Sequence, residues 1–453
     1  MNLLIILLAS LAFMIACQRL MPAFSCTCAI LPERIPGMVF GGNPAIDAPA
    51  VKEDGYFKVQ LPSKDWQMKV FNSIREAKDR WQAAAPEHNL FLGEDYLSVL
   101  EKHPPKNMQF RYVVLYCNGK PAGVAYFQIV PFLAEESLRI SPGKTSLFSF
   151  LIKPLSFLIR HLYVSRKHNL LVCGNLLLTG THGFWFRENL EKQELYQLLD
   201  EALSLVKSLL EKEDQLVDVT FIKDASEAQR METAQANSLQ YREFTFQPNM
   251  VIDLPDDWRD MENYLAALSS KYRIRYKKAR SQAKGFLKKE LSLEEIRQQQ
   301  EQICRLLCEV ADNQDFNMVE LNPNYLIALK EGLSDRFRVF AYYQEEKLAG
   351  FYTTLNNGEE LEAHFLGFSA ASNRSSKLYL NFLYDILEAG IQSGATRIVY
   401  ARTAMEIKSS VGARPELMYS YIRTNDCLLN RLLPGLIRYL QPSDEWVPRN
   451  PFK

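Results

Sequence analysis

Three runs of aromatic and β-branched residues lie close together in the last third of the chain, and turn residues separate them. Residues 339–343 (VFAYY) give way to Gln344-Glu345-Glu346-Lys347, residues 349–355 (AGFYTTL) give way to Asn356-Asn357-Gly358-Glu359, and residues 361–368 (LEAHFLGF) follow. Short apolar runs separated by Asn-Gly-type turns predict consecutive antiparallel strands. Past Ser375-Ser376-Lys377 the apolar residues recur at helical spacing over 378–393, and Gly394 stops the helix. A further strand is expected over 397–401. This order sets a helix N-terminus, flanked by two serines and a lysine, at the end of a central strand, a place that suits an anionic phosphate.

The same pattern occurs once more, earlier in the chain. Arg111-Tyr112-Val113-Val114-Leu115-Tyr116 with Lys120-Pro121-Ala122-Gly123 lines up with residues 338–343 and Lys347-Leu348-Ala349-Gly350. The offset is 227 residues both from Arg111 to Arg338 and from Gly123 to Gly350. Such self-similarity predicts a duplicated unit. A strand near 170–178, a helix over 190–210 and a strand over 218–222 would complete the first copy. A chain of 453 residues exceeds one compact core. We therefore divide it into an irregular extension (1–67), a first α/β domain (68–247) with an apolar insertion near 133–170, and a second α/β domain (248–453).

Composition narrows the picture little. Apolar content of 47% and charged content of 23% are ordinary for a globular protein, and the formal net charge is zero. Recognition of any charged partner must then be local. Eight cysteines show no paired metal spacing. Cys304 and Cys308, at i and i+4, read either as a metal or disulfide pair or as small buried apolar residues. Reduced thiols point to the cytoplasm. Residues 2–17 form an apolar run with no basic residue ahead of it, short for a span of about 20 residues. It reads as a membrane anchor with the protein body on the cytoplasmic side, as a cleaved leader, or as sequence ahead of the true start. Residues 146–163 are apolar with a few basic residues, which fits either an element lying on a bilayer or a buried helix pair.

A third feature is basic. Lys271, Arg273, Arg275, Lys277, Lys278 and Arg280 crowd one helical stretch, and no acidic residue follows until Glu290. Solvated helices normally mix charge signs, so this one is a candidate phosphate-binding face. Tyr272 and Tyr276, at i and i+4, suit core contacts better than base stacking.

The strand–turn–strand–strand–helix–strand unit, ending in Lys408-Ser409-Ser410-Val411-Gly412, resembles the GNAT N-acyltransferase core and more closely its Fem-like branch. There a Lys-x-x-x-Gly element follows the last core strand. The resemblance implies tandem GNAT-like domains on mixed sheets, with the site in the second. Residues 371–377 (ASNRSSK) stand where GNAT enzymes carry a glycine-rich pyrophosphate loop. It further implies acyl transfer from a thioester, on coenzyme A or an acyl carrier protein, to a primary amine of a lipid or envelope precursor. No permanently bound cofactor and no metal is expected. Donor contacts would come from Leu366, Gly367, Phe368, Ser375, Ser376, Lys377 and Lys408, and the basic helix would face a phosphate-bearing substrate. Two alternatives stay open: an aminoacyl-tRNA donor, with the basic helix on RNA, and an inactive protein that binds lipid or a partner.

Acyl transfer needs a deprotonated amine, a polarised carbonyl and a protonated leaving group. His364, on the strand most like the family, is the preferred general base, with Glu406 and Lys408 as other candidates. Tyr379, Tyr400 and Tyr421 compete for the acid, and Tyr400 is carried forward with His364 and Glu406 as catalytic. No Ser-His-Asp order, HExxH or Walker loop occurs, which removes hydrolase, metalloprotease and NTPase readings.

Overall fold

The computed structural model describes residues 55–59, 61, 65–131, 167–187, 190–312, 321–440 and 446–453, and it folds into two mixed sheets, one built on each copy of the repeat. The apolar stretches 2–17 and 146–163 lie outside the described residues. The first copy runs β1 (Phe57–Val59), β2 (Trp66–Phe71), α1 (Ile74–Ala84), α2 (Glu94–Lys102), β3 (Gln109–Cys117), β4 (Lys120–Pro131) and β5 (Lys167–Cys173). It continues through β6 (Phe184–Phe186), α3 (Lys192–Lys212), β7 (Gln215–Ala225), α4 (Thr233–Ser238) and β8 (Arg242–Thr245). Strand β3 is buried on both faces. Alternation sends Tyr112, Val114 and Tyr116 into a core with Trp81 of α1 and Tyr96 of α2, and Val113 and Leu115 into another with Leu199, Leu203 and Val206 of α3.

The second copy starts at β9 (Asn249–Asp253), α5 (Met261–Ala267), α6 (Ser270–Gln282), β10 (Leu287–Glu290), α7 (Leu293–Gln298), α8 (Gln300–Asp312) and α9 (Tyr325–Leu333). Then come β11 (Phe337–Gln344), β12 (Lys347–Asn357), β13 (Glu360–Phe368), α10 (Ala370–Ser376), α11 (Leu378–Ser393) and β14 (Arg397–Val399). The chain ends with α12 (Met405–Ser409), β15 (Arg414–Glu416), β16 (Tyr419–Thr424) and α13 (Cys427–Leu440). Gly394 caps α11 in the left-handed region, at φ 70°.

The duplication seen in sequence extends to backbone detail. Gly123 pairs with Leu115 and Gly350 with Tyr342, and the ladder shifts register between Leu115 and Tyr116 and again between Tyr342 and Tyr343. These positions carry the same 227-residue offset. A bulge repeated at one place in two hairpins is a feature of the unit.

Two of the expected boundaries need correction. Residues before Met68 belong to the first domain, because β1 pairs with β2 and Trp66 is fully buried, its indole N–H donating to Glu194 at 3.0 Å. The boundary at 247/248 does not separate the sheets either. Strand order in the first sheet is β1-β2-β3-β4-β5-β7-β16-β8, so β16, from the end of the chain, sits between β7 and β8. The second sheet runs β10-β11-β12-β13-β14-β9-β15. A chain beginning at Met68 loses the buried Trp66 ring, a deletion that costs about 3–5 kcal/mol in cores. Its thermal melt should fall well below that of a chain beginning at Gly55; equal melting would return these residues to an extension. Among the described residues no helix is long and apolar enough to cross a membrane.

Candidate functional site

Each half contains one parallel strand pair bridged by a helix, and the two pairs differ. In the first half, β5 and β7 stay paired from Lys167 opposite Gln215 to Cys173 opposite Ile222. In the second, β13 and β14 pair only at Glu360–Arg397, Leu361–Ile398 and Glu362–Val399. Strand β13 then runs on to Phe368, while Tyr400 and Ala401 turn to β9, where Tyr400 N donates to Met250 O at 2.8 Å and Met250 N to Ala401 O at 3.1 Å. The strands part as a wedge. At the same level β13 is irregular against β12, and the Thr353 hydroxyl both donates to Phe365 O and accepts from Phe365 N.

A cavity of about 650 Å³ fills that wedge. Its floor is β13 (Ala363, His364, Phe365, Leu366 and Phe368) and the 400–404 segment beside it. Helix α8 roofs it with Cys304, Leu307 and Cys308, and Leu176 and Leu177 reach in from the first half. Gly367 sets the height of the roof. A Cβ at this residue would stand 2.7 Å from the backbone of Leu306, so only glycine lets α8 lie so close to β13. Among the described residues none that lines the cavity is acidic.

The expected site residues separate into those the cavity gathers and those it does not. His364, Leu366, Phe368, Tyr379, Tyr400 and Lys408 line it. His364 sits among the rings of Tyr325, Phe337 and Phe365, and neither ring nitrogen has a hydrogen-bond partner among the described residues. Burial pulls this imidazole down to about 3. It is therefore neutral at physiological pH, yet too weakly basic to take a proton from an ammonium with profit. Burial and the missing partner weigh against the general-base role expected of His364. Replacing His364 with Phe should keep the ring packing and lower turnover less than about tenfold, whereas loss of a working general base lowers rate by about 10²–10⁴-fold.

Tyr400 lies on the wall, but its hydroxyl donates to Leu383 O at 2.7 Å. Tyr421 belongs to the first sheet and donates to Glu243. Tyr379 remains: it lines the cavity, its hydroxyl has no hydrogen bond among the described residues, and burial raises its pKa so that it stays protonated. Glu406 does not face the cavity. It is half exposed and ion-paired with Arg449.

The expected phosphate site at the helix start is also altered. Short helix α10 occupies the segment, Lys377 links it to α11 in the left-handed region (φ 54°), and Asn373 Oδ1 already accepts from Tyr379 N at 3.0 Å. Ser375 hydrogen-bonds back to Ala371 O and Ser372 O, and Ser376 is buried. Ser375, Ser376 and Lys377 therefore stand off the cavity. On α6, Arg280 is bound to Asp385 at 2.6 Å and Arg273 to Leu268 O and Ser270. None of the basic-helix residues lines the cavity.

Sequence reasoning missed the segment that shapes the wedge. Ala401, Thr403 and Ala404 all have positive φ (58°, 69° and 47°), a costly arrangement for three non-glycine residues. Two side chains hold it. Lys408 Nζ donates to Ala401 O at 3.1 Å and to Arg402 O at 2.5 Å. Arg402 reaches the first half, with Asp224 at 2.6 and 3.1 Å and Gln247 O at 2.9 Å. Burial brings Lys408 down to about 7. Burial would raise Asp224, but Arg402 and then Lys223 outweigh it and hold the carboxyl well below its usual range. Lys223, itself lowered to about 8 by burial, is also bound to Leu178 O at 2.7 Å. The sequence signal for all this was a lone Arg402 after a strand.

Among solved structures the chain is similar to FemX (10% identity, 74% of this chain and 96% of that chain, TM-score 0.44). It is also similar to a tandem GNAT protein from the clavulanic acid biosynthesis pathway (8% identity, 79% and 98%, TM-score 0.45) and to L-PGS from Bacillus licheniformis (11% identity, 77% and 96%, TM-score 0.38). No protein-family model matches the chain, and no curated protein matches it in sequence. By its own strand order, with a parallel pair around one helix in each half, the fold is a tandem GNAT-like α/β arrangement.

Proposed function

We propose that the chain is an N-acyltransferase of the Fem-like GNAT kind, working at the wedge between β13 and β14. The observation that carries this reading is the difference between the halves: the parallel pair closed in the first is opened in the second around an apolar cavity. In the proposed reaction the amine nitrogen attacks the thioester carbonyl carbon, the C–N bond forms and the C–S bond breaks. The proton that leaves nitrogen ends on sulfur. Two of the three Lys408 donor positions are taken by carbonyls, and the third would polarise the carbonyl oxygen. Tyr379 would give its hydrogen bond to the sulfur as charge develops there. With a weak His364 and no carboxylate among the described lining residues, the amine enters deprotonated.

Cavity chemistry favours an acyl over an aminoacyl donor. An aminoacyl group carries an ammonium, and among the described residues no carboxylate lines the cavity to receive it. The apolar walls suit an aliphatic chain, and each buried CH2 contributes about 0.8 kcal/mol, about fourfold in affinity. Coenzyme A and acyl carrier protein remain equal as carriers, and a lipid or envelope amine is the proposed acceptor. The test is a series of acyl-CoA thioesters from acetyl to dodecanoyl, followed by melting temperature and by thiol release with a primary amine. Affinity should climb along the series until the cavity is full. Equal shifts for acetyl and decanoyl thioesters would remove the acyl-chain reading, and binding without thiol release would leave a protein that binds but does not transfer.

A further inference from the structure

Helix α6 divides its basic residues into two sets. Tyr272, Tyr276 and Ala279 turn inward, where the Tyr276 ring lies 4.8 Å from that of Tyr384 and Asn381 Nδ2 donates to Ala279 O at 3.1 Å. Arg280 goes with that face, bound to Asp385. Lys271, Arg275, Lys277 and Lys278 are exposed, and no ion pair joins Arg275, Lys277 or Lys278 to another described residue. At the centre of this outward face stands Ile274, 66% exposed. Lys271, Lys277 and Lys278 are its neighbours at i−3, i+3 and i+4, so an apolar side chain projects from within a ring of cations. Leu287, 67% exposed, follows at the start of edge strand β10.

We propose that the outward face of α6 docks the protein on an anionic lipid surface, with Ile274 entering the boundary between headgroups and acyl chains. Charge complementarity selects the partner's sign: the chain has zero net charge, yet this face is wholly basic. The exposed isoleucine selects a bilayer over a nucleic acid, because a phosphodiester backbone offers it nothing to be buried in, whereas an interfacial helix combines basic residues with an apolar insertion. None of its residues lines the cavity, so the face serves to place the protein rather than to bind the reacting groups.

The experiment is co-sedimentation of the full chain with vesicles of phosphatidylcholine alone and with about a third phosphatidylglycerol. Because the full chain also contains the apolar stretches 2–17 and 146–163, the readout is the difference between wild type and variants. Each cation near such a surface contributes about fivefold in partitioning, so Arg275→Glu, Lys277→Glu and Lys278→Glu together should weaken binding to the anionic vesicles by more than about a hundredfold. Ile274→Ser, which leaves all charges in place, should weaken it by about tenfold. Added salt should weaken wild type more than the triple variant. Circular dichroism and melting confirm that each variant is folded; if the triple variant is not, Lys277→Gln with Lys278→Gln takes its place, with about twenty-five-fold expected. Equal binding by wild type and variants overturns the proposal. So does preference for tRNA over anionic vesicles with no effect of Ile274→Ser, which would give the helix to nucleic acid.

Discussion

Replacing Lys408 with Met should lower the rate of acyl transfer by about 10²–10³-fold, the range seen when one donor to a developing oxyanion is removed. Two effects act together. The ammonium is lost from the cavity wall, and the carbonyls of Ala401 and Arg402 lose the donor that holds a left-handed segment in place. A pH measurement separates this role from general damage. Lys408 is lowered by burial from 10.5 to about 7, so between those values the unfolded chain binds more protons than the folded one, and stability should rise with pH. That rise should be smaller in the Met variant when urea midpoints are compared at pH 7 and 10. A variant with wild-type turnover would take Lys408 out of the chemistry, whatever its stability.

The second large effect is expected at Asp224, far from the site in sequence. Asp224→Asn keeps the shape and the left-handed backbone (φ 60°) that Asn tolerates, but removes the charge facing both Lys223 and Arg402. Breaking a buried ion pair from one side leaves uncompensated cations and costs about 3–5 kcal/mol. The pH sign follows from the depressed carboxyl. Its contribution is fully present above its unfolded value of 3.8 and is lost as pH falls below it, so the acid limb of stability should flatten in the Asn variant. Turnover should fall too, because Arg402 tethers the segment that bounds the cavity. A variant that melts like wild type would mean that Lys223 gives up its proton at little cost and that the cluster is not a clamp.

The second sheet was legible in sequence because every local signal agreed there. Turn residues, strand runs and the Gly394 stop all fell where the backbone needs them, and the copied hairpin carried its bulge in the same register. What stayed hidden was set by partners distant in the chain. Nothing around Tyr419–Thr424 says that this strand crosses to the first sheet, since its pattern suits either neighbour. Trp66 looked like the edge of an extension because β1 is only three residues long and lies among irregular sequence. At the site, His364, Tyr379 and Lys408 could be named from placement, but not their states. An imidazole with no partner among the described residues, a hydroxyl unused among them while Tyr400 donates to a carbonyl, and a lysine near 7 are products of burial, which one sequence does not display. The spacing of Cys304 and Cys308 leaves a metal or disulfide pair and small buried apolar residues both open; their shared position in the roof comes from Gly367 admitting α8 to the strand.

The place of β16 between β7 and β8 bears on how the protein is made. Strand β7 ends at Ala225 and β16 at Thr424, so about 200 residues must leave the ribosome before β7 finds its neighbour. At about 5–20 residues per second that interval lasts roughly 10–40 s. Through it the nascent first half presents an open strand edge, and β8, whose one partner among the described residues is β16, has no strand to join. Its first sheet is the earlier to begin and the later to close. A stalled chain ending before residue 419 should engage holdase chaperones through that edge, and release from them should follow the emergence of its last strand.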